Sequence, residues 1–143
     1  MKRIAALTLS LTMGVAAAAW AQSDPVAERK NGMKLMGGAL EAVKGATEAG
    51  GPMTPVIPRI EQLLGEMRAI HTQFPQGSGT GDTRAKAEIW SDSAGFARAA
   101  DNGIKAAETL LAAAQSGDVA ASRAALGQVG GTCGACHRAY RGR

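Results

Sequence analysis

The residues whose types and spacing best suit chemistry are Cys133, Cys136 and His137, within the segment GGTCGACHRAYRGR at 130–143. They comprise both cysteines of the chain and one of its two histidines. On a helix, residues at i, i+3 and i+4 project from one face. Four chemistries use cysteines spaced in this way: a disulfide, a thiol redox pair, a zinc site and the covalent attachment of haem c.

Three of these four chemistries fit the segment less well than haem c. A disulfide between residues three apart closes a loop too short to constrain the unfolded chain. A thioredoxin-like pair would stand at the start of a helix in an α/β fold, and structural zinc needs four ligands where this segment offers three. In the haem c motif C-x-x-C-H, Cys133 and Cys136 form thioethers and His137 ligates iron. The motif therefore favours haem c, with two-cysteine redox chemistry as the remaining alternative.

The first residues, MKRIAALTLSLTMGVAAAAWAQ, have the pattern of a secretory signal peptide. Lys2 and Arg3 precede an uncharged apolar run, and Ala19–Ala21 supplies a small-x-small cleavage pattern. The apolar run is short for a bilayer span, which disfavours a membrane anchor. We therefore expect cleavage of residues 1–21, no later membrane span, and a periplasmic protein formed by 22–143 as a single haem domain.

The composition limits the partners and the core. Removal of Lys2 and Arg3, with no acidic residue beside them, lowers the formal net charge from +4 to +2. No basic stripe is interleaved with aromatic residues, so nucleic acid is not an expected partner. Aromatic residues make up only 3% of the chain, so aliphatic side chains must build the core. A bound apolar cofactor would add apolar volume to a core that has few aromatic side chains.

Apolar residues recur with helical periodicity in four runs, and no run alternates as a strand would. The predicted helices span 24–47, 54–74, 91–115 and 118–141, with Thr54 and Asp118 as N-caps of the second and fourth. The segment 75–87 is rich in Gly, Ser and Thr, and predicts a loop. The pattern indicates an all-α fold, an antiparallel up-down four-helix bundle with one covalently attached haem c.

This C-x-x-C-H near the end of a four-helix sequence resembles the class II cytochromes c, that is, cytochrome c-prime and its low-spin relatives. The segments AERKNGMKLMGGAL, EIWSDSAGF and GQVGGTCGACHRAYR are similar to that family's first helix, the entry to its third helix and its haem helix. The resemblance implies that Cys133 and Cys136 carry the thioethers and that His137 is the proximal ligand of iron. It also implies that Arg29 lies near a haem propionate, and that Arg141 biases the electrostatics around the histidine.

Met33 decides between two functions that the resemblance implies. In low-spin members a methionine of the first helix ligates iron on the distal side, whereas in cytochrome c-prime proper an apolar residue covers a five-coordinate iron. The segment MKLMGG is more similar to the low-spin branch, so we expect Met33 to be the distal ligand of a one-electron carrier that serves periplasmic redox partner proteins. The alternative is a haem protein that binds NO or CO, with Met33 as a lid. We expect no enzymatic activity, because no distal acid–base pair can be named.

Four further residues have expected roles. His71 is a rival candidate for the iron ligand, but nothing in the pattern directs it towards iron, so we expect a partly buried or surface histidine. Met36 is expected in the core. Trp90 and Phe74 are expected to pack in the core or to anchor the loop.

Homodimers are common in the family, and no exposed stripe of this sequence by itself indicates one.

Overall fold

The computed structural model describes residues 24–143. The predicted signal peptide at 1–21 and its cleavage site lie outside these residues. The described part contains five α-helices and one 3-10 turn: α1 Pro25–Glu48, the 3-10 turn Thr54–Val56, α2 Ile57–Ala69, α3 Glu88–Ser91, α4 Ser93–Gln115 and α5 Val119–Tyr140. No helix within 24–143 has the length and hydropathy needed to cross a membrane.

Aspartate side chains define where the three longest helices begin. Asp24, Asp92 and Asp118 each accept a hydrogen bond from an amide in the first turn of α1, α4 and α5, at 2.9, 3.0 and 2.8 Å. Each bond satisfies an amide that has no partner within its helix. The prediction for Asp118 is confirmed, but that for Thr54 is wrong. Thr54 begins the 3-10 turn, and no side chain caps that turn.

The second helix is shorter than predicted. It ends at Ala69 instead of continuing to Phe74. The amide of Gln73 donates a hydrogen bond to the carbonyl oxygen of Ala69 at 3.1 Å. Proline at 75 disfavours helical backbone at the residue before it, which opposes a helix through Phe74. The indole nitrogen of Trp90 then donates to the carbonyl oxygens of Phe74 and Pro75, both at 3.1 Å, which holds the chain in its new direction.

The third predicted helix begins two residues later than expected, and a separate short helix precedes it. Asp92 has φ −118° and ψ 55°, which separates the short helix α3 from α4. The side chain of Asp92 bonds the amide of Gly95 instead, and this local bond competes with continuation of a helix. The long helix therefore begins at Ser93 rather than at Ser91.

The four long helices form a closed ring. Helix α1 packs against α2 and α5, and α4 packs against the same two helices. Consecutive long helices are thus neighbours, as an up-down bundle requires. The predicted all-α four-helix bundle is confirmed.

The core is aliphatic, as the composition predicted. Its largest fully buried apolar side chains are Met53, Ile60, Leu63, Leu110, Val43 and Val129. Helix α4 buries Leu110 completely and the next residue, Leu111, in part. Because α4 lies between α2 and α5, its buried sector is wider than one stripe.

Candidate functional site

Helix α5 presents the C-x-x-C-H motif one turn before the helix ends. Cys133 and Cys136 are both half-buried and form no disulfide, while His137 is exposed. Within residues 24–143, no three His, Cys, Asp or Glu side chains converge on a point that could hold a metal ion. The three motif residues therefore share a helix face without forming a compact metal cage of their own.

Burial changes the acidity of all three side chains of the motif. Burial raises the pKa of the Cys133 thiol and that of the Cys136 thiol. The nearby Cys133 raises the pKa of Cys136 further. Although His137 as a whole is exposed, partial desolvation of its imidazole lowers its pKa, and the positive charge of Arg84 lowers the pKa further. Both effects on His137 favour the neutral imidazole, which is the form that binds metals.

A largely apolar cavity of about 480 Å³ lies beside the end of α5. Cys136 and His137 of α5 line it, and Met33 of α1 lines it as well. Cys133 does not line it, but packs one turn earlier against the edge of the hydrophobic core. The structure thus brings Cys136, His137 and Met33 together around one cavity and places Cys133 next to it on α5.

The two methionines of α1 have different surroundings. Met33 is partly buried and lines the cavity, whereas Met36 is 7% exposed and belongs to the core. The prediction that Met36 serves packing is confirmed. Met33 is therefore the methionine of α1 whose thioether side chain lines the cavity.

Arg29, four residues before Met33, is buried rather than a surface charge, with only 4% of it exposed. Its guanidinium donates to Ser78 Oγ at 3.0 Å, to the Ser78 carbonyl at 2.7 Å and to Thr83 Oγ1 at 2.7 Å. The same group lies 4.8 Å from the ring centroid of Phe74, a cation–π distance. Arg29 therefore fastens the 70–87 segment to α1, and it also lines the cavity, where its contact with a haem propionate stays a prediction.

The other end of the 70–87 segment is fastened to the end of α5. The amide of Gly142 donates to the carbonyl of Arg84 at 2.8 Å, and the amide of Lys86 donates to that of Tyr140 at 3.0 Å. Arg141, which lines the cavity, forms an isolated antiparallel bridge with Ala85. The predicted loop is therefore tied to both the α1 and the α5 walls of the cavity.

Three aromatic side chains build one wall of the cavity. Phe74 contacts Phe96 edge-on with centroids 5.0 Å apart, and Phe96 contacts Tyr140 at 5.3 Å. Trp90 lies outside this row, and a Cβ added at Gly79 would come within 2.8 Å of its ring. Trp90 is thus a loop anchor, one of the two roles expected for it, and Phe74 belongs to the cavity wall.

His71 does not reach the cavity. It is exposed, and its Nε2 lies 3.0 Å from Asp101 Oδ1 on α4. The structure places this histidine in the turn after α2, where it contacts α4 at the surface and does not line the cavity of Met33 and His137.

Comparison with known proteins identifies the family. The family model described as "Cytochrome C'" matches residues 24–141. The chain belongs to the cytochrome c' family. It is 32% identical over 115 residues to cytochrome c' of Pararhodospirillum photometricum, covering 79% of this chain and 92% of that protein. It is 34% identical over 119 residues to cytochrome c-556 of Agrobacterium tumefaciens strain II Chrys, covering 81% and 95%.

Solved structures of the cytochrome c' family have the same fold. Cytochrome c' from Rubrivivax gelatinosus superposes with a TM-score of 0.76 at 30% identity, covering 82% of this chain and 94% of that one. The nitric oxide complex of a mutant of cytochrome c prime from Alcaligenes xylosoxidans superposes with a TM-score of 0.77 at 31% identity, covering 84% and 94%. The resemblance that the sequence suggested is confirmed.

Members of the cytochrome c' family carry covalently attached haem c with iron, so this chain is a haem protein. The residues around the cavity fit that cofactor. The chain's only two cysteines have free thiols on one helix face, and Cys136 and His137 lie on a cavity whose size is typical of ligand sites. The apolar wall and the basic side chains at its edge suit a flat apolar ring with carboxylate substituents.

Most of the residues that line the cavity are not among those predicted from the sequence. Ser78 and Thr83 hold Arg29, and Ile89, Phe96 and Tyr140 form part of the apolar wall. The helical pattern does place Phe96 and Tyr140 on apolar stripes. Ser78 and Thr83 lie in a segment without periodicity, so no sequence signal could have located them.

Replacing Arg29 with Ala is expected to lower the free energy of unfolding of the haem-loaded protein by about 2–4 kcal/mol, because hydrogen bonds to a charged group are lost and their acceptors stay partly buried. The matched control is Lys30→Ala. Lys30 Nζ lies 2.5 Å from Asp82 Oδ2, but the two side chains are 50% and 94% exposed. Loss of such a pair costs less than about 1 kcal/mol. Equal losses in denaturant unfolding would contradict the anchoring role of Arg29.

Proposed function

We propose that this cytochrome c' family protein is a periplasmic one-electron carrier whose haem iron is ligated by His137 and Met33. The observation that carries the proposal is that these two side chains, from α5 and α1, line the same cavity. When bound, haem c supplies a reversible one-electron change at iron. Periplasmic location is supported by the signal-peptide pattern of residues 1–21, and an exported form beginning at Gln22 would have the corresponding intact mass.

Each site residue has a defined task in this proposal. Cys133 and Cys136 fix the cofactor to α5, and His137 supplies a neutral nitrogen ligand. Met33 supplies a thioether ligand from α1, the helix that packs against α5. Ligation by methionine and histidine raises the potential of haem and leaves no free position for a substrate, which suits a carrier rather than an enzyme.

The bundle and its loop favour small rearrangement during electron transfer. Arg29, on the helix of Met33, is anchored to Ser78 and Thr83. The same segment is bonded to the chain directly after α5, the helix of His137. The two helices that supply the proposed ligands are thus tied through one segment as well as packed against each other.

Binding of NO or CO is the second candidate function. It is favoured by the nitric oxide complexes of mutants of cytochrome c prime from Alcaligenes xylosoxidans, which share 30–31% identity with this chain. In that case Met33 covers the distal side without ligating iron, and small uncharged ligands take the vacant position.

The visible spectrum with and without CO tests the two candidates. We expect the reduced protein to show sharp α and β bands that CO leaves unchanged, because ligation by both Met33 and His137 would leave no position for CO. Broad high-spin bands that shift on addition of CO would contradict the carrier and support gas binding.

A further inference from the structure

The charged side chains of residues 24–143 are distributed unevenly around the cavity. Five basic residues and one acidic residue line it, namely Arg29, Lys30, Lys34, Arg84, Arg141 and Asp82. The rest of the described chain holds nine basic and eleven acidic residues. The cavity end is therefore net positive, although the remainder of this domain is net negative.

Most of these cations have no local counter-ion. Lys34, Arg84 and Arg141 are exposed, and no carboxylate oxygen within the described chain lies within 4.0 Å of their charged nitrogens. Lys30 pairs only with the exposed Asp82. We call Lys30, Lys34, Arg84 and Arg141 the cationic rim. Arg29 is excluded from it because it is buried.

A bound haem would not neutralise this end of the molecule. Its two propionates would offset two positive charges, and the cavity residues carry a net charge of +4. A net positive charge would remain around an opening with a largely apolar wall. Openings lined by one sign of charge with walls of low dielectric focus the field and attract opposite charge.

The rim cations are held by three separate parts of the chain. Lys30 and Lys34 lie one turn apart on α1, Arg84 precedes α3, and Arg141 follows α5. The backbone of Arg84 is bonded to Gly142, and Arg141 forms a bridge with Ala85. The fold thus brings cations from three separate segments to one opening.

We propose that the cationic rim docks a redox partner protein that presents an acidic surface patch, so that electrons pass at the open edge of the cavity. This inference rests on the proposed carrier function. Exposed charges of this kind accelerate and orient encounter rather than provide tight affinity, which suits transient electron transfer. An acidic protein surface is the occupant whose charge complements an exposed, multi-segment rim.

The test is stopped-flow oxidation of the reduced, haem-loaded protein by an acidic blue-copper protein at several ionic strengths. For each variant, the rate of oxidation by the blue-copper protein is divided by the rate of oxidation by a neutral quinone. Any change in the reduction potential of the haem then cancels from this ratio to first order. The rim variant is Lys34→Glu with Arg84→Glu. The control is Lys44→Glu with Lys105→Glu, which changes the net charge equally at two exposed lysines away from the cavity.

We expect the wild-type ratio to fall as salt is added. The rim variant should have a ratio at least about tenfold lower at low ionic strength and little salt dependence, while the control changes less than about twofold. Equal slowing of both variants would overturn the proposal, because total charge would then suffice. It would also be overturned if the rim variant slowed oxidation by hexacyanoferrate(III) but not by the blue-copper protein, which would mark a site for small anions. Slow oxidation of the wild type by the neutral quinone would instead refute the carrier function itself.

Discussion

Replacing Cys133 and Cys136 together with Ala is expected to abolish covalent haem attachment completely. These are the chain's only cysteines, so no other thiol can form a thioether. Both lie on one face of α5 as free thiols, and His137 follows on the same face. Intact mass and haem staining after denaturing electrophoresis measure the result. Each single variant should keep one thioether and therefore its haem.

The matched control for the cysteine variants is Gly134→Ala, which lies inside the motif. A Cβ at this position would meet only Arg138 Nη1 at 3.2 Å, the end of a flexible side chain. Alanine also stabilises a helix by up to about 1 kcal/mol relative to glycine. We expect this variant to keep its covalent haem. Haem that survives denaturation in the double cysteine variant would contradict the assignment of the motif.

Replacing Met33 with Leu is expected to change the haem from low spin to high spin and to open it to CO. Leucine keeps nearly the same volume, so the packing cost should stay below about 1.5 kcal/mol. It removes the sulfur, and with it the proposed distal ligand. The reduced variant should show broad bands that shift with CO, and its reduction potential should be lower because methionine ligation raises it.

Met36→Leu separates ligation from packing. Met36 lies one turn later on the same helix, but it belongs to the core and does not line the cavity. This variant should have a similar small effect on unfolding and no effect on the spectrum. If the wild type already binds CO and Met33→Leu leaves its spectrum unchanged, Met33 is a lid, and gas binding replaces electron transfer as the function.

The elements of the fold could be predicted because each depends on local sequence. Asp118 starts a helix through its own side chain, and the apolar stripes of α1 and α5 follow from periodicity. The end of α2 was misjudged because the apolar periodicity continues to Phe74, whereas Pro75 opposes a helix there and the distant Trp90 bonds the carbonyls of Phe74 and Pro75. Periodicity carries no information about such contacts.

The site could be predicted in part for the same reason. Cys133, Cys136 and His137 form a short motif on one helix, so their spacing alone indicates the chemistry. The partners of Arg29 lie 49 and 54 residues away, and the burial of this arginine depends on them. The cationic rim was equally hidden, because its four members are separated in the sequence and meet only around the folded cavity.

Iron K-edge X-ray absorption of the purified, haem-loaded protein tests the ligation of iron most directly. The thioether sulfurs of Cys133 and Cys136 bond to carbon, so any sulfur in the first shell of iron must come from a further residue such as Met33. We predict five nitrogen neighbours and one sulfur neighbour in the wild type, and the loss of the sulfur in Met33→Leu. A first shell of nitrogen atoms alone in the wild type would contradict the account.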